Sequence, residues 1–258
     1  ISTSGSSGMR TARVPTVSGT ALILGARNLG RAIGEHLAQR DWHVAGVARS
    51  DETVQAFEAA IPDSLGIALD ASTPDAVDEA AARTRERFGG SIDLMVNAVA
   101  AGPSPSGAPF GGGPLADLSP EDFDHYALKV ARQTYAFLSA GVRALRETGG
   151  GTLVQITGGS SRRAIPGRGA WAAGAFATRA LTQSAALELR DEGIHAVLLI
   201  VDATIKSPKT AAFTQNAGPY DLAEQSEVAR AVEYLATQDA TAWTHELQVT
   251  PRGDRWMP

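Results

Sequence analysis

Short apolar runs, each followed by a segment of helical spacing, recur from Thr20 to Val249 and constrain this chain more than any other feature. TALILGA (20–26) reaches a turn at Gly25, and in LGRAIGEHLAQR after it Leu29, Ile33 and Leu37 recur at helical spacing. HVAGVA (43–48) precedes ETVQAFEAA, LGIALD (65–70) precedes a helix opened by Thr73-Pro74, and IDLMVNAV (92–99) comes next. Apolar strands alternating with helices need a crossover for each parallel pair, and the helices then cover both faces of the sheet. The pattern predicts an α/β fold, a single doubly wound parallel sheet of about seven strands.

A Gly/Pro-rich loop from Ala101 to Gly113 interrupts this rhythm and is expected to flank a site. Ser119-Pro120-Glu121-Asp122 then opens a long helix with a serine cap, proline at its first position and acids in its first turn. Strand TLVQIT (152–157), a helix from about Ala170 to Arg190, strand HAVLLIV (195–201), an irregular stretch to about Gly218, a helix from Gln225 to Ala236 and a last strand ELQVT follow. The length of 258 residues suits one core, so residues 9–258 are read as one domain, with 103–119 and 203–222 as site-flanking loops. ISTSGSSG at 1–8 is read as a non-native leader before Met9.

Composition narrows the function classes. A net charge of -5 without a basic tract argues against nucleic acid and membrane surfaces as partners. The run 20–26 is too short to span a bilayer, and a cytoplasmic protein is expected. The absence of cysteine removes disulfides, iron–sulfur clusters and cysteine nucleophiles together, and no histidine pair has metal-ligand spacing, so no metal is expected.

Ligands of doubly wound sheets bind outside the carboxyl ends of the strands, with phosphates at the first strand–helix turn. Here that turn is GARNLGRAIG, including Arg27 and Asn28, with Gly25, Gly30 and Gly34 allowing the backbone to approach a pyrophosphate; the middle glycine of the usual fingerprint is missing. Strand two ends in Arg49-Ser50, where a protein preferring NAD(H) places an acid on the ribose. Arg49 and Arg27 suit a 2′-phosphate instead and favour NADP(H); solvated surface arginines, and no cofactor at all, are the plain alternatives.

From Gly19 to Val249 the order and spacing of these elements resemble the short-chain dehydrogenase/reductase family, a Rossmann-type fold. The likeness rests on GARNLGRAIG, one residue shorter than the family's turn, on Asp70-Ala71, Asn97-Ala98-Val99-Ala100 and GTLVQIT, and on LTQSAALEL (181–189) with Gly193-Ile194. The resemblance implies that Asp70 contacts adenine and that Asn97 sits near the cofactor's ribose. It also implies a catalytic set of tyrosine, lysine four residues later, serine and asparagine, whose positions here hold Trp171, Ala175, Gly158 and Val130. Composition tests that alignment. The four tyrosines, 126, 135, 220 and 234, are followed four residues later by Val130, Ser139, Glu224 and Gln238, so the chain has no Tyr-x-x-x-Lys. Its three lysines, Lys129, Lys206 and Lys209, lie outside the helix that carries the family's own.

Where the family has Pro-Gly against the nicotinamide, this chain has Val201-Asp202, either a carboxylate near the redox end or a turn or capping residue. Thr157, Ser160, Arg162 and Asp202 are the candidate substrate-site residues. The cluster SSRRAIPGR, with Arg162, Arg163 and Arg168, suits a small anionic substrate or solvated loop charges. His125 reads as structural and His195 as a surface or edge residue. The small residues Ala172, Ala173, Gly174, Ala175 and Ala177 suit close helix packing, and by resemblance this helix lies at a subunit interface, implying a homo-oligomer or a hetero-oligomer with an active relative. The expected function is an NADP(H)-binding, catalytically degenerate homologue acting as oligomer subunit or sensor; the alternative is an enzyme with other chemistry, an atypical reductase or a non-redox isomerase, lyase or cyclase.

Overall fold

A computed structural model of the chain describes residues 19–254; the expectations for residues 1–8 and Met9 lie outside them. Seven strands form one parallel sheet: β1 (Thr20–Leu24), β2 (His43–Ala48), β3 (Leu65–Ala68), β4 (Leu94–Asn97), β5 (Gly151–Gly158), β6 (Ile194–Val201) and, two short strands later, β9 (Glu246–Val249). Their order across the sheet is β3-β2-β1-β4-β5-β6-β9, with every neighbouring pair parallel. Strand order therefore reverses between β1 and β4, which fixes where a ligand crevice opens.

Burial explains why these segments were legible as strands. Every residue of β1 and β6 is buried, as expected where helices cover both faces of a sheet. One core cluster joins Leu22, Leu24 and Leu153 to α3 (Pro74–Phe88), α5 (Lys129–Arg146) and α6 (Gly169–Leu189). The other joins Ile23, Val96 and Leu199 to α1 (Leu29–Ala38), α2 (Asp51–Ala60) and α7 (Gln225–Ala236).

The helix starts follow the sequence signals. Thr73 caps α3 with Pro74 in its first turn, and Ser119 caps α4 (Pro120–Phe123) in the same way. From α4 the chain continues through one π-helical turn, Asp124–Leu128, into α5. The irregular stretch after β6 departs from expectation: β7 (Thr204–Ile205) and β8 (Leu222–Ala223) pair in parallel as a small second sheet. Among the described residues no helix is long and apolar enough to cross a membrane.

Candidate functional site

The C-terminal ends of β1 and β4 meet at the switch point. Gly25 leaves β1 at φ 93°, and a β-carbon there would lie 2.9 Å from the Ala98 carbonyl carbon; only glycine lets the two strand ends approach so closely. Its amide and that of Ala26 both donate to the Val47 carbonyl at 2.9 Å, which ties the turn to β2. Gly30 closes the turn, since a β-carbon there would collide with the Gly25 carbonyl oxygen. Gly34 has a different role from the one expected. It lies one turn further along α1, packed on Phe57 and Ile61.

Asn28, where the turn lacks its middle glycine, takes φ 48° and ψ -106° and makes no side-chain cap for α1. Arg27 and Arg49 are both exposed beside this turn, and neither forms an ion pair among the described residues. Ser50 caps α2 by accepting from the Thr53 amide at 3.3 Å, so its hydroxyl is already engaged. Asp70 is exposed beyond β3. Asn97 is buried: its amide donates to Gln155 Oε1 at 2.9 Å and its Oδ1 accepts from the Val99 amide at 3.2 Å, clamping β4 to β5.

Further along the same edge, the positions expected to carry acid/base chemistry hold no titratable group. Gly158 ends β5, Ala175 is fully buried in α6, and Val130 on α5 faces Gly174, where a β-carbon would lie 3.1 Å from the Val130 side chain. Trp171 packs edge-on against Phe110, ring centroids 5.2 Å apart, and against Tyr126 at 6.5 Å. Phe110 in turn touches Tyr126 at 5.3 Å, and the Arg168 guanidinium lies 5.8 Å from the Phe110 ring. The Tyr126 hydroxyl is buried without a hydrogen-bond partner among the described residues. Thr157 and Ser160 are half-buried beside this cluster's turn, and Ser161 donates to the Gly158 carbonyl at 2.8 Å.

The loop that delivers Phe110 is held at both ends. Gly113 bridges to Arg168, and His125 Nε2 lies 3.4 Å from the Gly102 carbonyl. At its base the hydroxyls of Ser104, Ser106 and Ser119 all donate to the buried Asp122 carboxylate. Those bonds, Ser104's and Ser106's foremost, lower the Asp122 pKa from 3.8 to about 2 against the opposing effect of burial.

The arginine cluster divides among separate partners. Arg163 grips Asp202 with two bonds, Nη1 to Oδ2 at 2.7 Å and Nη2 to Oδ1 at 3.0 Å, and Gln248 donates to the same Oδ2 at 3.1 Å. This pairing raises the Arg163 pKa above the usual guanidinium range. Arg162 donates to Gln248 Oε1 at 3.0 Å. Asp202 is thus the buried centre of a network joining the turn after β5, the end of β6 and β9, a role that residue type and position could not reveal because its partners are 39 and 46 residues away.

His195 requires a correction. It is 2% exposed, its Nε2 donates to the Thr244 carbonyl at 2.8 Å, and Trp243 stacks on its ring at 4.9 Å. Desolvation lowers its pKa. A period-two reading of β6 cannot find this, because Trp243 and Thr244 return from the far end of the chain. Among the described residues no cluster of three His, Cys, Asp or Glu could hold a metal.

Comparison with known proteins agrees with this geometry. Residues 23–249 match the family model described as enoyl-(acyl carrier protein) reductase. A sorbitol dehydrogenase of Cereibacter sphaeroides is 33% identical over 180 residues, 68% of this chain and 66% of that protein. A short-chain dehydrogenase/reductase of Armillaria gallica is 29% identical over 247 residues, 87% of this chain and 91% of that one. The crystal structure of a metagenomic short-chain oxidoreductase in complex with NADP superposes with a TM-score of 0.73 at 24% identity, covering 92% of this chain and 99% of that one, and shows the shared fold. The chain belongs to the short-chain dehydrogenase/reductase family and carries its oxidoreductase scaffold.

Proposed function

We propose that this chain is an NADP(H)-binding member of the family in which the usual hydride-transfer acid/base residues have been replaced, so that it acts as an oligomer subunit or sensor. The observation that carries this reading is the pairing of Trp171 and Ala175 one helical turn apart on α6, in a chain without any Tyr-x-x-x-Lys. Reduction of a carbonyl develops an alkoxide that a poised proton donor must meet at neutral pH. An indole does not supply that proton and alanine cannot tune a neighbouring phenol.

The adenylate end fits a dinucleotide. Gly25 and Gly30 give the backbone close approach, the Arg27, Asn28 and Leu29 amides lie at the start of α1, and Arg27 and Arg49 are exposed for a 2′-phosphate. When bound, such a cofactor supplies hydride chemistry; this chain's own residues bind and orient its adenosine half. The relatives' names, which are of dehydrogenases and reductases, favour a second reading: a reductase of an activated substrate that needs no protein acid.

Calorimetric titration with NADPH and NADH tests the binding claim. Arg49→Ala is expected to weaken NADPH by about tenfold, the value of one charge-assisted contact of roughly 1.5 kcal/mol, and to leave NADH nearly unchanged. Equal weakening of both overturns the 2′-phosphate assignment.

A further inference from the structure

Both β6 and β9 start beside an open cavity of about 600 Å³, lined by Arg190, Asp191, Gly193, Ala240, Trp243 and His245. Gly193 and His245 immediately precede Ile194 and Glu246, so the cavity lies at the amino ends of these two parallel strands. The switch-point crevice opens at the carboxyl ends instead, and the eight residues of β6 separate the cavity from Asp202. Its volume is that of a small-molecule site.

Trp243 is held in place by the chain's own bonds. It stacks on the buried ring of His195, centroids 4.9 Å apart and planes 10° from parallel, and His195 Nε2 donates to the Thr244 carbonyl at 2.8 Å. Gln238 grips Thr244 twice, accepting from its amide at 2.9 Å and donating to its hydroxyl at 2.8 Å. Asp239 caps the turn Ala240–Ala242 by accepting from the Thr241 amide at 2.9 Å. An indole fixed in this way loses little freedom when a ring packs on it.

The cavity also carries charge of both signs. Arg190 and Asp191 are consecutive in the turn after α6, both are exposed, and neither side chain forms an ion pair or hydrogen bond among the described residues. Glu192, next in the same turn, is already paired with Arg146 at 2.6 Å. A guanidinium and a carboxylate that are neighbours without pairing match a ligand with the complementary groups, a carboxylate and an ammonium, on one carbon. Trp243 adds a flat apolar surface suited to an aromatic ring.

We propose that this cavity binds a free aromatic amino acid as its zwitterion, with the carboxylate on Arg190, the ammonium on Asp191 and the ring against Trp243. The site is independent of the dinucleotide reading, whose residues lie at the other end of the sheet.

Titration of the intact chain with L-phenylalanine, followed by the NMR shifts of its indole N–H protons, tests this directly. The Trp243 resonance, assigned by its loss in Trp243→Phe, is expected to move saturably while those of Trp42 and Trp171 stay in place. Phenethylamine lacks the carboxylate and 3-phenylpropanoate lacks the ammonium; each is expected to bind at least about fivefold more weakly, the scale of one exposed ion pair. L-Alanine, without the ring, is expected to leave the Trp243 resonance unmoved. No movement with L-phenylalanine overturns the site, and a 3-phenylpropanoate or phenethylamine affinity equal to that of L-phenylalanine overturns the zwitterion assignment. Arg190→Gln and Asp191→Asn, both at exposed positions, are each expected to weaken L-phenylalanine by about fivefold with an unchanged melting temperature. Unchanged affinity in either folded variant overturns the role given to that charge, and the ligand series on the wild-type chain decides the zwitterion assignment whether or not the variants fold.

Discussion

The Tyr126 hydroxyl shows how a single atom can be read. A buried phenol without a partner retains the desolvation cost of its hydroxyl while gaining nothing in return. Tyr126→Phe deletes that atom and keeps the ring that packs on Phe110, His125 and Trp171. The variant is expected to be as stable as the wild type or more stable by up to about 1 kcal/mol in chemical denaturation. A loss of about 1 kcal/mol or more means that the hydroxyl is satisfied in solution. At this scale the sequence was only partly legible. Ser119 announced itself as a cap and Thr73-Pro74 as a helix start because capping is a local rule, whereas the cap made by Ser50 was not foreseen. Asp202 and His195 did not, since the groups that bury them arrive from strands and loops far along the chain.

Among the elements, the loop 101–113 is the one docked by contacts from several distant parts of the chain. Its base is the Asp122 carboxylate with three serine hydroxyls, and the sign of its pH dependence follows from the lowered pKa. In the unfolded chain Asp122 titrates near 3.8 and in the folded protein at about 2, so the unfolded state binds more protons between those values. The anchor's contribution is complete above about pH 4 and is lost as the pH falls toward 2. Asp122→Asn removes the charge at every pH and is expected to speed amide exchange across residues 101–118 at neutral pH, leaving α3 and β6 protected. Unchanged exchange in the loop would show that Gly113, Phe110 and Arg168 hold it without the serine anchor. The loop's existence was plain from its glycines and prolines; its docking was not, because Phe110 carries no local signal that its ring will meet Trp171.

For the molecule as a whole, the parallel sheet followed from apolar runs alternating with helical segments, because each parallel pair needs a crossover. The reversal of strand order between β1 and β4 then placed the glycine turn, Arg27, Arg49 and Asn97 along one edge of the sheet. What the pattern of elements could not convey was that Asp202, just beyond β6, is buried under Arg163 and Gln248. The scaffold is the family's, while the sequence holds no Tyr-x-x-x-Lys.

The central claim, a dinucleotide-binding scaffold without hydride-transfer machinery, is tested most directly by following NADPH oxidation and NADP+ reduction with the purified full chain at neutral pH. Sugars, polyols, aldehydes and ketones serve as substrates, since a relative in the comparison is a sorbitol dehydrogenase. The account predicts no turnover above the uncatalysed rate with any of them, under conditions where calorimetry shows the nucleotide bound. Sustained turnover by the wild-type chain would contradict it.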